Sequence, residues 1–125
     1  MEQHLPPSRG PRVTPADIEA EIASEHYFTA ADGVAGAAWR EVSDARGVSQ
    51  PLPLHLLTFC VLLLRNGFTV TGHSACASAD NFDVEVGRKI ARANAVEQVW
   101  PLLGFRLRDK LHAIETAIEP KREVA

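Results

Sequence analysis

A chain of 125 residues with 46% hydrophobic and 23% charged residues has the length and composition of one ordinary globular domain, and is too short for a catalytic domain plus a regulatory one. Its formal net charge of -3 argues against bulk electrostatic binding to nucleic acid. The longest apolar run, Leu52 to Leu64, is broken by Pro53 and His55 and falls short of the ~20 residues of a membrane-spanning helix. No apolar stretch near Met1 suits a signal peptide, so a cytoplasmic protein with two reduced thiols is expected.

Residues 1–13 carry Pro6, Pro7, Ser8, Gly10 and Pro11 and read as a flexible leader. A single α+β domain over 14–119 is expected to follow, with a frayed tail over 120–125. Thr14-Pro15-Ala16-Asp17 is a helix start, with a threonine cap, proline where its missing N–H costs nothing, and an acid in the first turn. Ile18, Ile22 and His26 then share a face at helical spacing, and the helix is expected to fray before Ala31-Asp32-Gly33. The stretch from Gly33 to Gln50 shows no clear period and reads as a loop, with a short helix around Ala37 to Val42.

Pro51 and Pro53 precede the apolar run from Leu56 to Leu64, and Asn66-Gly67 after it is a strong hairpin signal because both residues tolerate positive φ. Phe68-Thr69-Val70-Thr71 adds β-branched and aromatic residues. An antiparallel β-hairpin over about 56–65 and 68–76 is therefore expected. A two-residue loop would set Leu63 opposite Val70, Val61 opposite Gly72 and Cys60 opposite His73. In that register Leu57, Phe59, Val61, Leu63, Phe68 and Val70 form the core face. Thr58, Cys60, Leu62, Leu64, Thr69, Thr71 and His73 form the other, whose apolar residues invite a partner helix or subunit. Cys60 and Cys76 fall on opposite faces and out of step, too distant for a disulfide.

Ser78-Ala79-Asp80-Asn81 is a turn and cap cluster. Phe82, Val86, Ile90, Ala93, Val96 and Trp100 then recur in steps of four and three, predicting a long amphipathic helix over about 82–100. Pro101 and Gly104 are expected to end it. Leu107, Leu111, Ile114 and Ile118 resume the pattern in a short C-terminal helix over about 106–119, whose narrow seam suits packing on another subunit.

The block Leu57-Thr58-Phe59-Cys60-Val61, Asn66 to Gly72, Ser74-Ala75-Cys76, Asn81-Phe82-Asp83, Gly87-Arg88-Lys89-Ile90-Ala91, Ala95 and Trp100-Pro101-Leu102 resembles the small phage and prophage proteins of the gp-forty-nine/gene-sixty-six family. The resemblance runs from about Thr14 to Leu111 and includes Tyr27 to Val34. It implies an accessory protein acting in the cytoplasm of the infected host, and brings no agreed activity. In that family an acid commonly stands where this chain has His73, and Glu-Gly-Tyr where it has Leu103-Gly104-Phe105. Both departures weaken any scheme needing a carboxylate there.

No catalytic signature is present. His55, His73 and Cys76 lack the paired spacings of zinc sites, and His73 and Cys76, three apart on one strand, point to opposite faces. Ser74 has no glycine-flanked elbow, and Gly87 stands alone rather than in a phosphate loop. Neither a metal nor a cofactor is expected. The residues that suit a ligand are cationic and aromatic: Arg88 and Arg92 share a helix face, and Trp100, Phe105, Arg106 and Arg108 follow. Guanidinium groups beside rings suit phosphates and stacked bases, whereas a solvated face pairing with Glu85, Asp109 or Glu115 uses the same residues.

The first functional expectation is a non-enzymatic phage accessory protein that binds a small phosphorylated nucleotide or signalling molecule and sequesters a host anti-phage signal. The alternative is a protein-interaction module that inhibits a host or phage protein through the Leu107 to Ile118 helix or the second hairpin face. A homo-oligomer is expected in either case, with no membrane partner and with nucleic acid the weakest reading.

Overall fold

The computed structural model describes residues 10–41 and 50–118; residues 1–9 of the leader expected over 1–13, and the whole tail expected over 120–125, lie outside them. Helix α1 spans Pro15–Glu21, strand β1 Ile22–Thr29, helix α2 Ala30–Glu41 and the single turn α3 Leu52–His55. Strands β2 (Leu57–Leu64) and β3 (Thr69–Ala75) follow, then a 3-10 turn over Ala79–Asn81 and helix α4 over Val84–Ile118. The strands form one antiparallel sheet in the order β1-β2-β3. The α+β class, the N-terminal helix, the hairpin and the long helix thus match the sequence reading.

Two capping boxes punctuate the first half. The Thr14 hydroxyl accepts from the Asp17 N–H and the Asp17 carboxylate accepts from the Thr14 N–H, and Thr29 and Asp32 repeat the exchange at the start of α2. Each pair satisfies two donors that a helix start leaves open. Between the boxes the structure departs from the sequence reading. The expected helix through His26 stops at Glu21, and Ile22–Thr29 is a strand that pairs with β2 across an irregularity between Ile22 and Ser24. A central strand as apolar as β2 gains hydrogen-bonded neighbours on both sides, and that gain outweighs weak local helical spacing. The loop expected from Gly33 is helical as far as Glu41, and residues 42–49 lie outside the described part.

The hairpin is present, but its register differs by one residue from that of a two-residue loop. Leu64 N–H donates to the Phe68 carbonyl at 2.8 Å, Gly67 N–H donates to the Leu64 carbonyl at 2.9 Å, and Gly67 has positive φ, at 91°. The loop therefore has three residues, Arg65-Asn66-Gly67, a turn followed by a bulge at the glycine. Leu62 lies opposite Val70, Cys60 opposite Gly72 and Phe59 opposite His73. One residue of slip exchanges the faces. Thr58, Cys60, Leu62, Leu64, Val70 and Gly72 are buried, while Leu57, Phe59 and Val61 are only half-buried and Leu63 is exposed. The β2 residues of the expected core face thus lie on the open side, while Val70 is in the core as expected. Cys60 and Cys76 are both free thiols, but they are kept apart by distance along the ladder and not by lying on opposite faces.

Helix α4 covers the buried face, packing chiefly on β3 and then on β2. Asp83 caps its start by accepting from the N–H groups of Glu85 and Val86. Its buried residues are Gly87, Ala91, Ala95, Val99 and Leu103, not the seam of larger residues; Val86 and Ile90 are about half exposed, at 50% and 46%. The cause is steric. A Cβ built on Gly72 would overlap the Ala95 nitrogen and the Ala91 carbonyl oxygen, so the helix backbone rests directly on the strand backbone. A Cβ on Gly87 would come within 3.1 Å of the Thr58 hydroxyl. Only small residues allow this approach.

The helix runs unbroken through Pro101 and Gly104, correcting the division into two helices. Pro101 is exposed, as is Glu97, whose carbonyl loses its N–H partner one turn earlier, so the missing bond falls on the solvent flank. Val99 and Leu103, both buried, anchor the turns on either side of it. Beyond Leu103 the helix leaves the sheet, with Leu107 and Leu111 half-buried and Ile114 and Ile118 exposed. No helix among the described residues is long and apolar enough to cross a membrane.

Gly72→Ala is expected to lower stability by about 3 kcal/mol or to prevent folding, because a methyl group must displace two backbones. Gly104→Ala meets nothing within 4 Å and should raise stability by about 0.5 to 1 kcal/mol. Urea unfolding of both variants checks the pair.

Candidate interaction surface

The arginines singled out in the sequence stand in several places. Arg88 lies over the Tyr27 ring, with its Cζ 5.5 Å from the centroid, a cation–π contact from α4 to β1. Arg92 reaches across to three carboxylate oxygens. Its Nη atoms donate to both oxygens of Glu19 at 3.2 and 2.8 Å, and its Nε donates to Glu25 at 3.1 Å. Arg106 pairs with Glu21 at 2.9 Å, and Arg108 with Glu115 at 2.7 Å along the same helix. Trp100 packs half-buried against the core, and Phe105 is 71% exposed. At 1.5 Å of rise per residue, Arg92 stands roughly 20 Å along the helix from Arg106, and Arg88 farther still. The six residues do not converge on one pocket.

The ties are electrostatically consistent. Tyr27 donates to Glu25 at 2.7 Å, and burial with that hydrogen bond raises its phenol above the usual range, so it stays a donor. The Tyr27 hydrogen bond, then Arg92, hold the Glu25 carboxyl below its ordinary value against some desolvation. The hydrogen bond from Arg106 does the same for Glu21. Arg65 adds a backbone tie, its N–H donating to the Glu21 carbonyl at 2.9 Å and its Nε to that of Ala20. Burial raises the Cys60 thiol, which makes it a poor nucleophile.

A cationic cleft remains among the described residues. Arg106 joins Arg12 and Lys110 around about 280 Å³ between α1 and α4, with Asp17 and Glu21 in the same wall. Lys110 belongs to the same basic run as Arg106 and Arg108, but Arg12 carried no signal in the sequence because it is distant from that run and flanks no aromatic pair.

The open sheet face is different in kind. The strands place Ser24, His26 and Phe28 of β1, Leu57, Phe59, Val61 and Leu63 of β2, and Thr69, Thr71, His73 and Ala75 of β3 on it, following the pairing register. Phe28 stacks on Phe59 at 5.4 Å, and His73 lies tilted at 6.1 Å on the other side of Phe59. The His26 ring contacts the Ser24 hydroxyl at 2.9 Å. These eleven positions hold no Lys, Arg, Asp or Glu. An apolar stripe with hydroxyl and imidazole rims suits a protein surface, and offers a phosphate little. Sequence reasoning missed it because it assigned Leu57, Phe59, Val61 and Leu63 to the core, set Thr69, Thr71 and His73 on the opposite face by the one-residue slip, and read β1 as helix.

Glu25 supplies a test of the ties. Its folded-state value is depressed, so its stabilisation is complete at neutral pH and fades as pH falls through and below the ordinary glutamate value of 4.5. Between about pH 6 and about pH 3, Glu25→Gln should lose less stability than the unmodified chain. The gap is expected to be ~0.5 kcal/mol, because the pair is partly exposed to screening water; thermal unfolding at both pH values measures it.

Residues 13–111 fit the model of a known family, the Phage protein (N4 Gp49/phage Sf6 gene 66) family, over a span from just before α1 through the first part of the α4 overhang. No curated protein and no solved structure matches the chain. The chain belongs to the Phage protein (N4 Gp49/phage Sf6 gene 66) family.

Proposed function

We propose that this family member is a non-enzymatic phage accessory protein that works in the host cytoplasm by binding a host or phage protein through the open sheet face. The observation that carries this reading is the apolar stripe Leu57, Phe59, Val61 and Leu63 along the central strand, half-buried to exposed among the described residues, with Phe28 stacked beside it and no formal charge among the strand residues of the face. Central strands are ordinarily the best covered part of a sheet, and apolar side chains left partly open on one are what a partner buries. The surface differs from both candidates in the sequence reading. Of the second hairpin face, Thr58, Cys60, Leu62 and Leu64 lie under α4 and Thr69, Thr71 and His73 fall on the open face, and the Leu107 to Ile118 helix is a separate, narrower seam.

Sequestration of a small nucleotide keeps one specific support, the Arg106, Arg12 and Lys110 cleft. Its volume is at the low end for a drug-sized ligand, and Glu21 already holds Arg106. The two readings separate by experiment. Affinity capture from infected cells should yield a partner with the unmodified protein and at least about tenfold less with Val61→Lys/Leu63→Lys, a loss of roughly 1.4 kcal/mol or more, while Arg106→Ala captures normally. Equal capture by the sheet variant, together with heat on titrating cyclic dinucleotides or ADP-ribose derivatives that Arg106→Ala abolishes, would transfer the function to the cleft.

A further inference from the structure

The two edges of the sheet are unlike. In the β2–β3 ladder Leu64 N–H donates to Phe68 and Cys76 N–H to Leu56, so the even-numbered residues of β3 turn their backbone groups toward β2. Strict alternation then directs the N–H and C=O groups of Thr69, Thr71 and His73 away from the sheet. Among the described residues, one of these groups has a partner: the Asn94 amide donates to the His73 carbonyl at 2.8 Å. A carbonyl has a second lone pair, so that bond leaves it able to accept from a strand.

Natural edges are guarded by lysine, proline, bulges or charge. β1 fits that description, with its irregularity at Ile22 to Ser24 and its Glu25. β3, Thr69-Val70-Thr71-Gly72-His73-Ser74-Ala75, has no proline, no formal charge and no register shift against β2. We propose that β3 pairs antiparallel with β3 of a second copy, joining two sheets into one of six strands.

Three observations favour a copy over an unrelated strand. The outward residues are threonine, threonine and histidine, so a two-fold axis sets uncharged side chains opposite one another, and Thr–Thr neighbours across strands are favourable. Beside the edge lies a groove of about 730 Å³ walled by Thr69 to His73 and by Asn94, Glu97, Gln98 and Pro101 of α4. Since α4 lies over β3 and β2, a two-fold places the second α4 on the same side of the joined sheet. Strands ~4.8 Å apart then set the two helices against each other over the joined edge, with Asn94, Glu97, Gln98 and Pro101 of each toward the other's groove. The pairing also sets both open faces side by side on the opposite surface. Leu62 and Leu64, which the sequence reading offered to another subunit, take no part in it, because α4 covers them within one chain.

Light scattering should give twice the 13.6 kDa chain mass for the unmodified protein. Thr71→Pro removes an outward N–H without touching the β2 ladder, and Thr71→Lys sets like charges together across the axis; each should halve the mass. If proline disturbs the fold, lysine decides alone. Hydrogen exchange supplies a second reading: the Thr69, Thr71 and His73 amides should be protected in the unmodified protein and lose protection in Thr71→Lys. A monomeric unmodified protein, a dimer that survives Thr71→Lys, or an unmodified dimer whose Thr69, Thr71 and His73 amides are unprotected, would overturn the pairing.

Discussion

The contact of Gly72 with the backbone of Ala91 and Ala95 governs the rest of this molecule. With no side chain on the strand and single methyl groups on the helix, α4 approaches until backbone meets backbone. That approach selects the small residues Gly87, Ala91 and Ala95 for the buried seam, and leaves Val86 and Ile90 about half exposed. It also requires the register of the three-residue turn, because only that register places Gly72 on the covered face opposite Cys60. Turn, register and helix packing are three expressions of one constraint.

The same placement assigns work to the cations of α4. Once the helix lies across the sheet, its flank toward β1 meets Glu19, Glu21, Glu25 and Tyr27, and Arg88, Arg92 and Arg106 become ties between α4 and the N-terminal segment. Exposed ion pairs each contribute little. Arg92 is the stronger case, since it is largely shielded and forked onto two carboxylates. A guanidinium so engaged is less available to a phosphate, and this shifts the functional weight from the cationic helix to the uncharged sheet.

Much of the fold was legible in local chemistry. Thr14-Pro15-Ala16-Asp17 announced α1, and Asn66-Gly67 announced the hairpin. The repeat of that first signal at Thr29-Ala30-Ala31-Asp32 was equally readable, and would have separated β1 from α2. The register was not readable in the same way. Asn-Gly serves two-residue and three-residue loops alike, and the choice between them is made by Gly72 and by the distant α4 residues packed on it. Pro101 misled for a related reason, since its local cost is outweighed by the burial of Val99 and Leu103. The candidate site inherited these errors. A single slipped residue turned the partly open stripe of β2 into a supposed core, and the arginine spacing was visible while the carboxylates that hold Arg92 and Arg106, 67 to 85 residues distant, were not.

Gly72 lies beneath α4 and the odd-numbered residues of β2 face outward; the proposed interaction surface depends on that arrangement. Proton NMR of the native protein tests it most directly through nuclear Overhauser contacts across the sheet and helix. The structure predicts contacts from the Gly72 α-protons to Ala91 and Ala95, and from the Phe59 ring to Phe28 and His73 but not to α4. Contacts from Phe59 or Val61 to α4, with Gly72 silent, would place the sheet one residue out of register and contradict the arrangement.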